Sequence, residues 1–207
     1  PARLFSHRSL NSLRSALGLL LSTSRIGTPG FALSFNATSG YVEVPSNCNV
    51  NPPIALKSCT SVSGLSAFTF ALWINPTSLT TNMTLLDKSG SGSGNNEFRL
   101  MLDKHQVYVQ LGDETGTWTF EWLLTSPTIT AAVWTHIALA WDSIDGLVEL
   151  FVNGQSAGTR NHIVSNLFAG SANLLIGAAA GPSAFFHGEM DELYIYGARS
   201  PCLRRCS

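Results

Sequence analysis

The sequence has few charged residues and no long hydrophobic run. Asp, Glu, Lys and Arg make up 12% of its 207 residues. The basic residues are too few, and too little interleaved with aromatic ones, to form a nucleic-acid surface. The longest apolar runs, 16–21 and 174–180, are much shorter than the roughly 18 residues that a membrane-spanning helix needs. The sequence therefore predicts no nucleic-acid partner and no transmembrane segment.

Cysteine is also scarce, with four residues in the chain. Cys48 and Cys59 share one Pro-rich loop, and a disulfide between them would restrict a segment that is otherwise costly to order. A bond from this loop to Cys202 or Cys206 is the alternative. Neither pair has the close spacing of zinc ligands. Paired cysteines would indicate an oxidising compartment, so the location stays open between an organellar assembly and the extracellular or secretory space.

Acidic residues are absent from one end of the chain. Residues 1–42 contain no Asp or Glu, whereas 43–198 holds all 13 acidic residues against five basic ones. The segment 1–30 is rich in Arg, Ser and Leu, a composition typical of organellar targeting segments. Its leucines fall at helical spacing and predict an amphipathic helix over 9–21. We interpret 1–30 as a basic arm outside the main domain.

The basic arm is predicted to attach the chain to an anionic partner, in the first place another protein subunit. The residues predicted to make this contact are Arg3, Arg8, Arg14, Leu13 and Leu17. The alternative is that the arm lies on its own acidic body. Residues 201–207 form a second basic segment, a tail that contains the last two cysteines.

Glycine and apolar residues are abundant and favour a sheet protein with many turns. The clearest pattern lies in 132–154, where Ile137, Leu139 and Trp141 alternate with smaller residues and a second alternating run comes next. Asn153-Gly154 closes that run and predicts a type I′ hairpin turn, because both central residues need positive φ. A hairpin cannot bury its apolar face alone, so a second layer must cover it. The sequence predicts an antiparallel sandwich.

One predicted strand, 117–124, carries a row of aromatic residues. Trp118, Phe120 and Trp122 alternate along it and are expected on one face. Such a row could stack sugar rings, which makes these three residues a candidate glycan platform. The alternative is that they belong to the core.

Several motifs in order resemble laminin-G-like, concanavalin A-like jelly rolls. They are ALSFNATSGYVEVP at 32–45, FTFALWINP at 68–76, WTHIALAWD with VELFVNG at 134–154, and FHGEMDELYIYGARS at 186–200. The resemblance covers about 31–200. It implies an all-β, antiparallel two-sheet jelly-roll sandwich, here with a partly helical N-terminal extension. This fold hosts lectins, hydrolases and spacers, so it leaves the function open.

The resemblance also implies a possible structural calcium near the edge where the first and last strands meet. Asp191 would be a ligand, and Asn36 stands where relatives often have an Asp. Calcium needs six to eight oxygens, and only these two side chains are available as candidates. The alternative is that Asp191 bonds nearby backbone. No other cofactor is expected.

No catalytic group is evident. Glycosidases of this general fold carry a strand of pattern E-x-D-x-E, and the nearest match has Glu189 and Asp191 but Leu193 in the third position. No second carboxylate is placed opposite them by the sequence. We therefore expect a protein that is not an enzyme.

Three functions are compatible with these observations. The sequence favours a non-catalytic structural or interaction subunit of a larger assembly, with the sandwich as a rigid body and the arm as attachment. The alternative is a carbohydrate-binding or adhesive module of a secreted or cell-surface protein. A glycoside hydrolase is the least favoured.

Overall fold

The computed structural model describes residues 2–3, 20–23, 29–44, 46, 65–90 and 94–196. The described residues form strands and turns and contain no helix, and none of their segments is a helix able to cross a membrane. The strands are β1 (Ala2–Arg3), β2 (Leu20–Thr23), β3 (Pro29–Asn36), β4 (Val42–Val44), β5 (Ala67–Pro76), β6 (Met83–Ser89), β7 (Asn96–Asp103), β8 (Gln106–Gly112), β9 (Trp118–Leu123), β10 (Thr135–Asp142), β11 (Leu147–Val152), β12 (Gln155–Asn161), β13 (Leu174–Ile176) and β14 (His187–Tyr196).

These strands form two antiparallel sheets. One has the order β12-β11-β10-β5-β14-β3-β2, with β1 also paired to β14. The other has the order β4-β13-β6-β7-β8-β9 and is called here the six-stranded sheet. The predicted all-β, two-sheet antiparallel sandwich is confirmed.

The β10-β11-β12 meander has the predicted alternation. Ile137, Leu139 and Trp141 are buried between the sheets and belong to the main hydrophobic core. The turn from β11 to β12 has φ of 51° at Asn153 and 76° at Gly154, as a type I′ turn requires. The hairpin prediction is confirmed in both its strands and its turn.

The centre of the core is aromatic. The rings of Phe68 and Phe98 both pack against Phe70, with centroids 4.5 Å from it, and they lie 6.3 Å from each other. Trp141 packs 5.7 Å from Phe68. All four side chains are essentially inaccessible to water. Burial of each such side chain contributes about 1.5–3 kcal/mol, so this cluster ties the two sheets together.

A buried ion pair joins the end of β6 to the start of β7 in the six-stranded sheet. Lys88 Nζ is 2.7 Å from Glu97 Oε1, and the two side chains are 2% and 0% exposed. Lys88 also donates to the carbonyl of Ala172 at 2.8 Å, and the N–H of Gly170 donates to Glu97 at 3.0 Å. The pair therefore fastens the loop before β13 to strands β6 and β7.

The structure of the N-terminal region contradicts part of the predicted helix over 9–21. Leu20 and Leu21, assigned to the amphipathic helix 9–21, lie in β2 and pair with β3. Ala2 and Arg3 form β1 and pair with β14. Leucine spacing favours a helix only weakly, and backbone pairing with a neighbouring strand overrides it. The described parts of the arm thus belong to the sandwich instead of lying outside it.

Other N-terminal and C-terminal predictions fall outside the described residues. These are Arg8, Leu13, Arg14 and Leu17, the Cys48–Cys59 disulfide, and the basic tail 201–207. Arg3 is described only as backbone in β1. The partner-binding role of these residues and the disulfide stay predictions.

Strand β14 lies in the middle of its sheet. Its first half pairs with β3 on one side, and both halves pair with β5 on the other. A bulge between Asp191 and Tyr194 interrupts the pairing with β5, and Glu192 there has φ of 49°. The bulge turns Leu193 into the core, so the alternation that begins at Glu189 does not continue past Asp191.

Candidate glycan-binding face

A row of polar side chains crosses the six-stranded sheet on the side away from the core. Asp87 pairs with Arg99, Arg99 with Gln110, and Gln110 with Glu121, in consecutive strands β6 to β9. On β7 and β8 the flanking residues point into the core, so the alternation of each strand puts these polar residues on the same outer face. The strand registers alone bring the four side chains into line.

Hydrogen bonds connect most of this row. Arg99 Nη2 donates to Asp87 Oδ2 at 2.9 Å, and Gln110 Nε2 donates to Glu121 Oε1 at 2.8 Å. The contact between Arg99 Nη1 and Gln110 Oε1 is longer, at 3.5 Å, and therefore weak. The row therefore consists of two well-bonded pairs, Asp87–Arg99 and Gln110–Glu121, with only a weak contact between them.

Asp87 anchors one end of the row. Its carboxylate is fully buried and accepts bonds from the Ser89 hydroxyl at 2.7 Å and from the backbone N–H of Ala180 at 2.7 Å, besides the guanidinium of Arg99. The Arg99 side chain is 22% exposed. Asp87 therefore fixes the guanidinium of a side chain that is still partly exposed.

Two aromatic side chains flank the row. Arg99 lies over the ring of Trp118, with its Cζ 5.4 Å from the ring centroid. Tyr108 is two residues from Gln110 on β8, on the other side of the row, and both aromatic residues are partly exposed. Burial, and then the negative charge of Glu121, raise the pKa of the Tyr108 phenol. The phenol thus stays protonated and able to donate at neutral pH.

We call this surface the polar sheet face. Its members are Asp87, Ser89, Arg99, Tyr108, Gln110, Trp118 and Glu121. By strand rise, Tyr108 and the Gly112 position opposite Trp118 are about 13 Å apart. The face therefore carries two partly exposed aromatic side chains with a row of bonded polar side chains between them.

The predicted aromatic platform needs correction. Phe120 and Trp122 are only 7% and 5% exposed and are part of the core. Trp118 lies on the opposite face, because the register of β8 and β9 shifts between Leu111 and Gly112. The core alternative holds for Phe120 and Trp122, and only Trp118 has a ring that faces the outer side.

The two calcium candidates are not brought together. Asn36 pairs with His187, four residues along β14 from Asp191, which is about 13 Å by strand rise. Asn36 Oδ1 accepts the N–H groups of Thr38, Ser39 and Gly40, so it faces donors. Asp191 is buried and accepts the N–H of Glu192 at 2.8 Å. Among the described residues, no group of three or more His, Cys, Asp and Glu could hold a metal ion.

Glu189 and Asp191 lie on the other sheet, away from the polar sheet face. Glu189 accepts the hydroxyl of Ser22 on β2 and the amide of Asn75 on β5, the latter at 3.0 Å. These bonds link β14 to β5 and to β2. The arrangement gives Glu189 a role in holding the strands together.

A buried histidine lies next to the end of β8. The ring of His162 is 3.1 Å from the carbonyl of Gly112, and its own backbone carbonyl accepts the Trp141 indole N–H at 3.0 Å. Burial lowers the pKa of this ring more than that bond and the nearby acids Asp113 and Glu114 raise it. His162 is therefore neutral in the folded protein at neutral pH.

Comparison with known families agrees with this geometry. The family model for the concanavalin A-like lectin/glucanases superfamily, of laminin-G type, matches residues 36–201. This match spans most of the chain. The chain therefore belongs to the concanavalin A-like lectin/glucanases superfamily.

Individual relatives are more distant. The pentraxin-related protein PTX3 of Bos taurus is 30% identical over 95 residues, which is 46% of this chain and 23% of the bovine protein. The chain thus matches about a quarter of that relative's length.

Two solved structures share the fold. One is the CBM40 of Ruminococcus gnavus IT-sialidase bound to α2,3-sialyllactose, with a TM-score of 0.62 and 17% identity over 82% of this chain and 92% of that one. The other is domain 4 of AbnA, a GH43 arabinanase of Geobacillus stearothermophilus, in complex with arabinotriose. Its TM-score is 0.60, with 19% identity over 90% of this chain and 79% of that one.

Most of the polar sheet face was not predicted from the sequence. Asp87, Arg99, Gln110 and Tyr108 were not among the candidate residues. The available signal was a polar residue between apolar ones on each of several consecutive predicted strands. Using that signal requires the register of each strand pair, which the sequence does not specify.

Proposed function

We propose that this chain is a non-catalytic carbohydrate-binding module whose site is the polar sheet face. The observation that carries the proposal is the row Arg99–Gln110–Glu121 between the rings of Trp118 and Tyr108. Sugars present flat apolar ring faces and a rim of hydroxyl groups. An aromatic ring beside fixed donors and acceptors matches both features.

Pre-organisation supports the same proposal. Asp87 and Ser89 hold the Arg99 guanidinium, and Gln110 and Glu121 hold each other. Binding a sugar therefore orders few side chains, which lowers the entropic cost of association. Two proteins of the same fold, the IT-sialidase CBM40 and domain 4 of AbnA, have been solved with an oligosaccharide. That likeness concerns the fold and supports the class of ligand only.

The proposed module has no role in hydrolysis. Glycoside hydrolysis needs two carboxyl groups about 5–10 Å apart. Asp87 and Glu121 are separated by three strand spacings, about 14 Å. Asp87 is also fully buried in its ion pair. We expect no turnover of any glycan bound to the polar sheet face, and a reducing-sugar assay on the bound oligosaccharide tests this directly.

The binding experiment compares the wild-type protein with Trp118→Ala and with Ile144→Ala as control. Ile144 is 93% exposed in the β10–β11 turn, on the other sheet. A glycan array selects a ligand, and isothermal titration calorimetry measures its Kd. We expect Trp118→Ala to weaken binding at least tenfold, about 1.4 kcal/mol, and the control to bind normally. Absence of any glycan ligand, or unchanged affinity in folded Trp118→Ala, would refute the proposal.

The structural-subunit function is placed second. Its attachment arm was predicted from 1–30, but β1 and β2 pair with strands of the chain's own sheet. A partner for the remaining part of the arm stays a proposal. Native mass spectrometry of the purified protein tests it, since a stable hetero-assembly would favour this function.

A further inference from the structure

We infer that the polar sheet face selects neutral glycans and discriminates against acidic ones. This inference rests on the proposed function and names the class of ligand for the same site. The inference follows from the charged side chains of the face and from which of them already have a partner of opposite charge.

The one cation of the polar sheet face is already neutralised. Arg99 is paired with the buried carboxylate of Asp87 at 2.9 Å, and its guanidinium also lies against Trp118. Asp87 has no other basic partner among the described hydrogen bonds. An acidic sugar that approached Arg99 would have to compete with a carboxylate that is buried and fixed by two further donors. Arg99 is therefore available for hydrogen bonds to hydroxyl groups more than for an ion pair.

Glu121 gives the face its excess charge. Its side chain is exposed, and its hydrogen-bond partner Gln110 is neutral. Asp87, Arg99 and Glu121 together leave one negative charge. Asp103 and Lys104, at the β7–β8 turn, offset each other. A carboxylate or sulfate that a ligand brings near Glu121 would be repelled by it. Burial raises the pKa of the Tyr108 phenol most, and the negative charge of Glu121 raises it further.

The test measures affinity for matched neutral and acidic oligosaccharides. The probes are lactose with 3′-sialyllactose, and N-acetyllactosamine with its 6-sulfated form, beside a wider array that contains neutral glycans and their sialylated or sulfated counterparts. We expect each acidic member to bind at least tenfold more weakly than the neutral member. Equal or tighter binding of the acidic members would overturn the inference while the proposed function stands. No binding of any probe would refute the proposed function itself.

Two further measurements separate charge from shape. Glu121→Gln removes the excess charge and should narrow the ratio of neutral to acidic affinity several-fold. Asp145→Asn is the control, since Asp145 is exposed in the β10–β11 turn of the other sheet, away from the polar sheet face. It should change the ratio much less. Raising the salt concentration should also narrow the ratio. A ratio that responds to neither Glu121→Gln nor salt would mean that shape, and not charge, excludes acidic glycans.

Discussion

The buried ion pair between Lys88 and Glu97 allows a sharp test of how the six-stranded sheet is held. We consider two single variants, Lys88→Met and Glu97→Gln, which keep approximately the length and shape of each side chain. Each removes one charge and leaves the other buried at 2% exposure or less. Because a buried charge without its partner keeps its desolvation cost, each variant should lose about 3–5 kcal/mol of unfolding free energy.

The double variant Lys88→Met/Glu97→Gln should be less unstable than the sum of the single ones. It buries no charge, although the carbonyl of Ala172 loses its lysine donor. Leaving a buried acceptor such as this carbonyl without its donor costs about 1–3 kcal/mol. The single losses would sum to about 6–10 kcal/mol against about 1–3 kcal/mol for the double variant, so we expect a coupling energy of at least about 3 kcal/mol, at or above the upper end of the usual range for contacting residues.

Urea denaturation monitored by tryptophan fluorescence measures these unfolding free energies. The comparison requires that the slope of unfolding free energy against urea concentration is the same in all variants. Lys104→Met is the control, because Lys104 is an exposed lysine at the β7–β8 turn and should change stability by less than about 0.5 kcal/mol. Single variants that cost less than about 1 kcal/mol, or that add without coupling, would contradict the view that this pair is buried and interdependent.

Two further predictions concern stability. Since burial lowers the pKa of His162, the unfolded chain binds a proton below about pH 6.5 that the folded chain does not. The unfolding free energy should therefore fall as the pH drops from 7.5 to 5.5. In urea titrations, the unfolding free energy of His162→Gln should depend less steeply on pH than that of the wild type. An equally steep pH dependence would contradict the assignment to His162. Gly177→Ala adds a Cβ that overlaps the Phe35 ring at a φ of 82°, and should cost about 2–4 kcal/mol by thermal or urea unfolding. Gly181→Ala, at φ 66° with open space around it, is the matched control and should cost only about 1–2 kcal/mol; equal losses would exclude the contact with Phe35.

Local patterns in the sequence predicted the parts of the fold that depend on neighbouring residues. The alternation of Ile137, Leu139 and Trp141 and the Asn153-Gly154 turn are signals of this kind, and the structure confirms both. The strand predicted over 117–124 is also present, as β9, and its bounds agree within one residue at each end.

Bulges account for the main errors in the candidate site. Simple alternation puts Trp118 on the same face as Phe120, but the shift between Leu111 and Gly112 separates them. A bulge adds one residue to one strand and reverses the face of the residues beyond it. Its position depends on the partner strand, which no local pattern reveals. For the same reason, the alignment of Asp87 with Glu121 across four strands was not predicted.

The N-terminal error has a different cause. Leu20 and Leu21 fit a helical spacing as well as a strand, and a short segment gives no means of choosing. Their place in β2 is decided by β3, whose free edge they cover. Tertiary pairing, and not local propensity, determines the structure there.

Because β14 lies in the middle of its sheet but near the C-terminal end of the described residues, this sheet can be completed only late in synthesis. Gly188 pairs with both Phe35 and Pro76, which leave the ribosome more than a hundred residues earlier. At translation rates of about 5–20 residues per second, the edges of β3 and β5 that later pair with β14 wait on the order of 6 to 30 s. Exposed strand edges in a nascent chain invite pairing with other chains. We therefore expect the half-formed sheet to be most vulnerable to such pairing until residues 187–196 are synthesised and join its two parts.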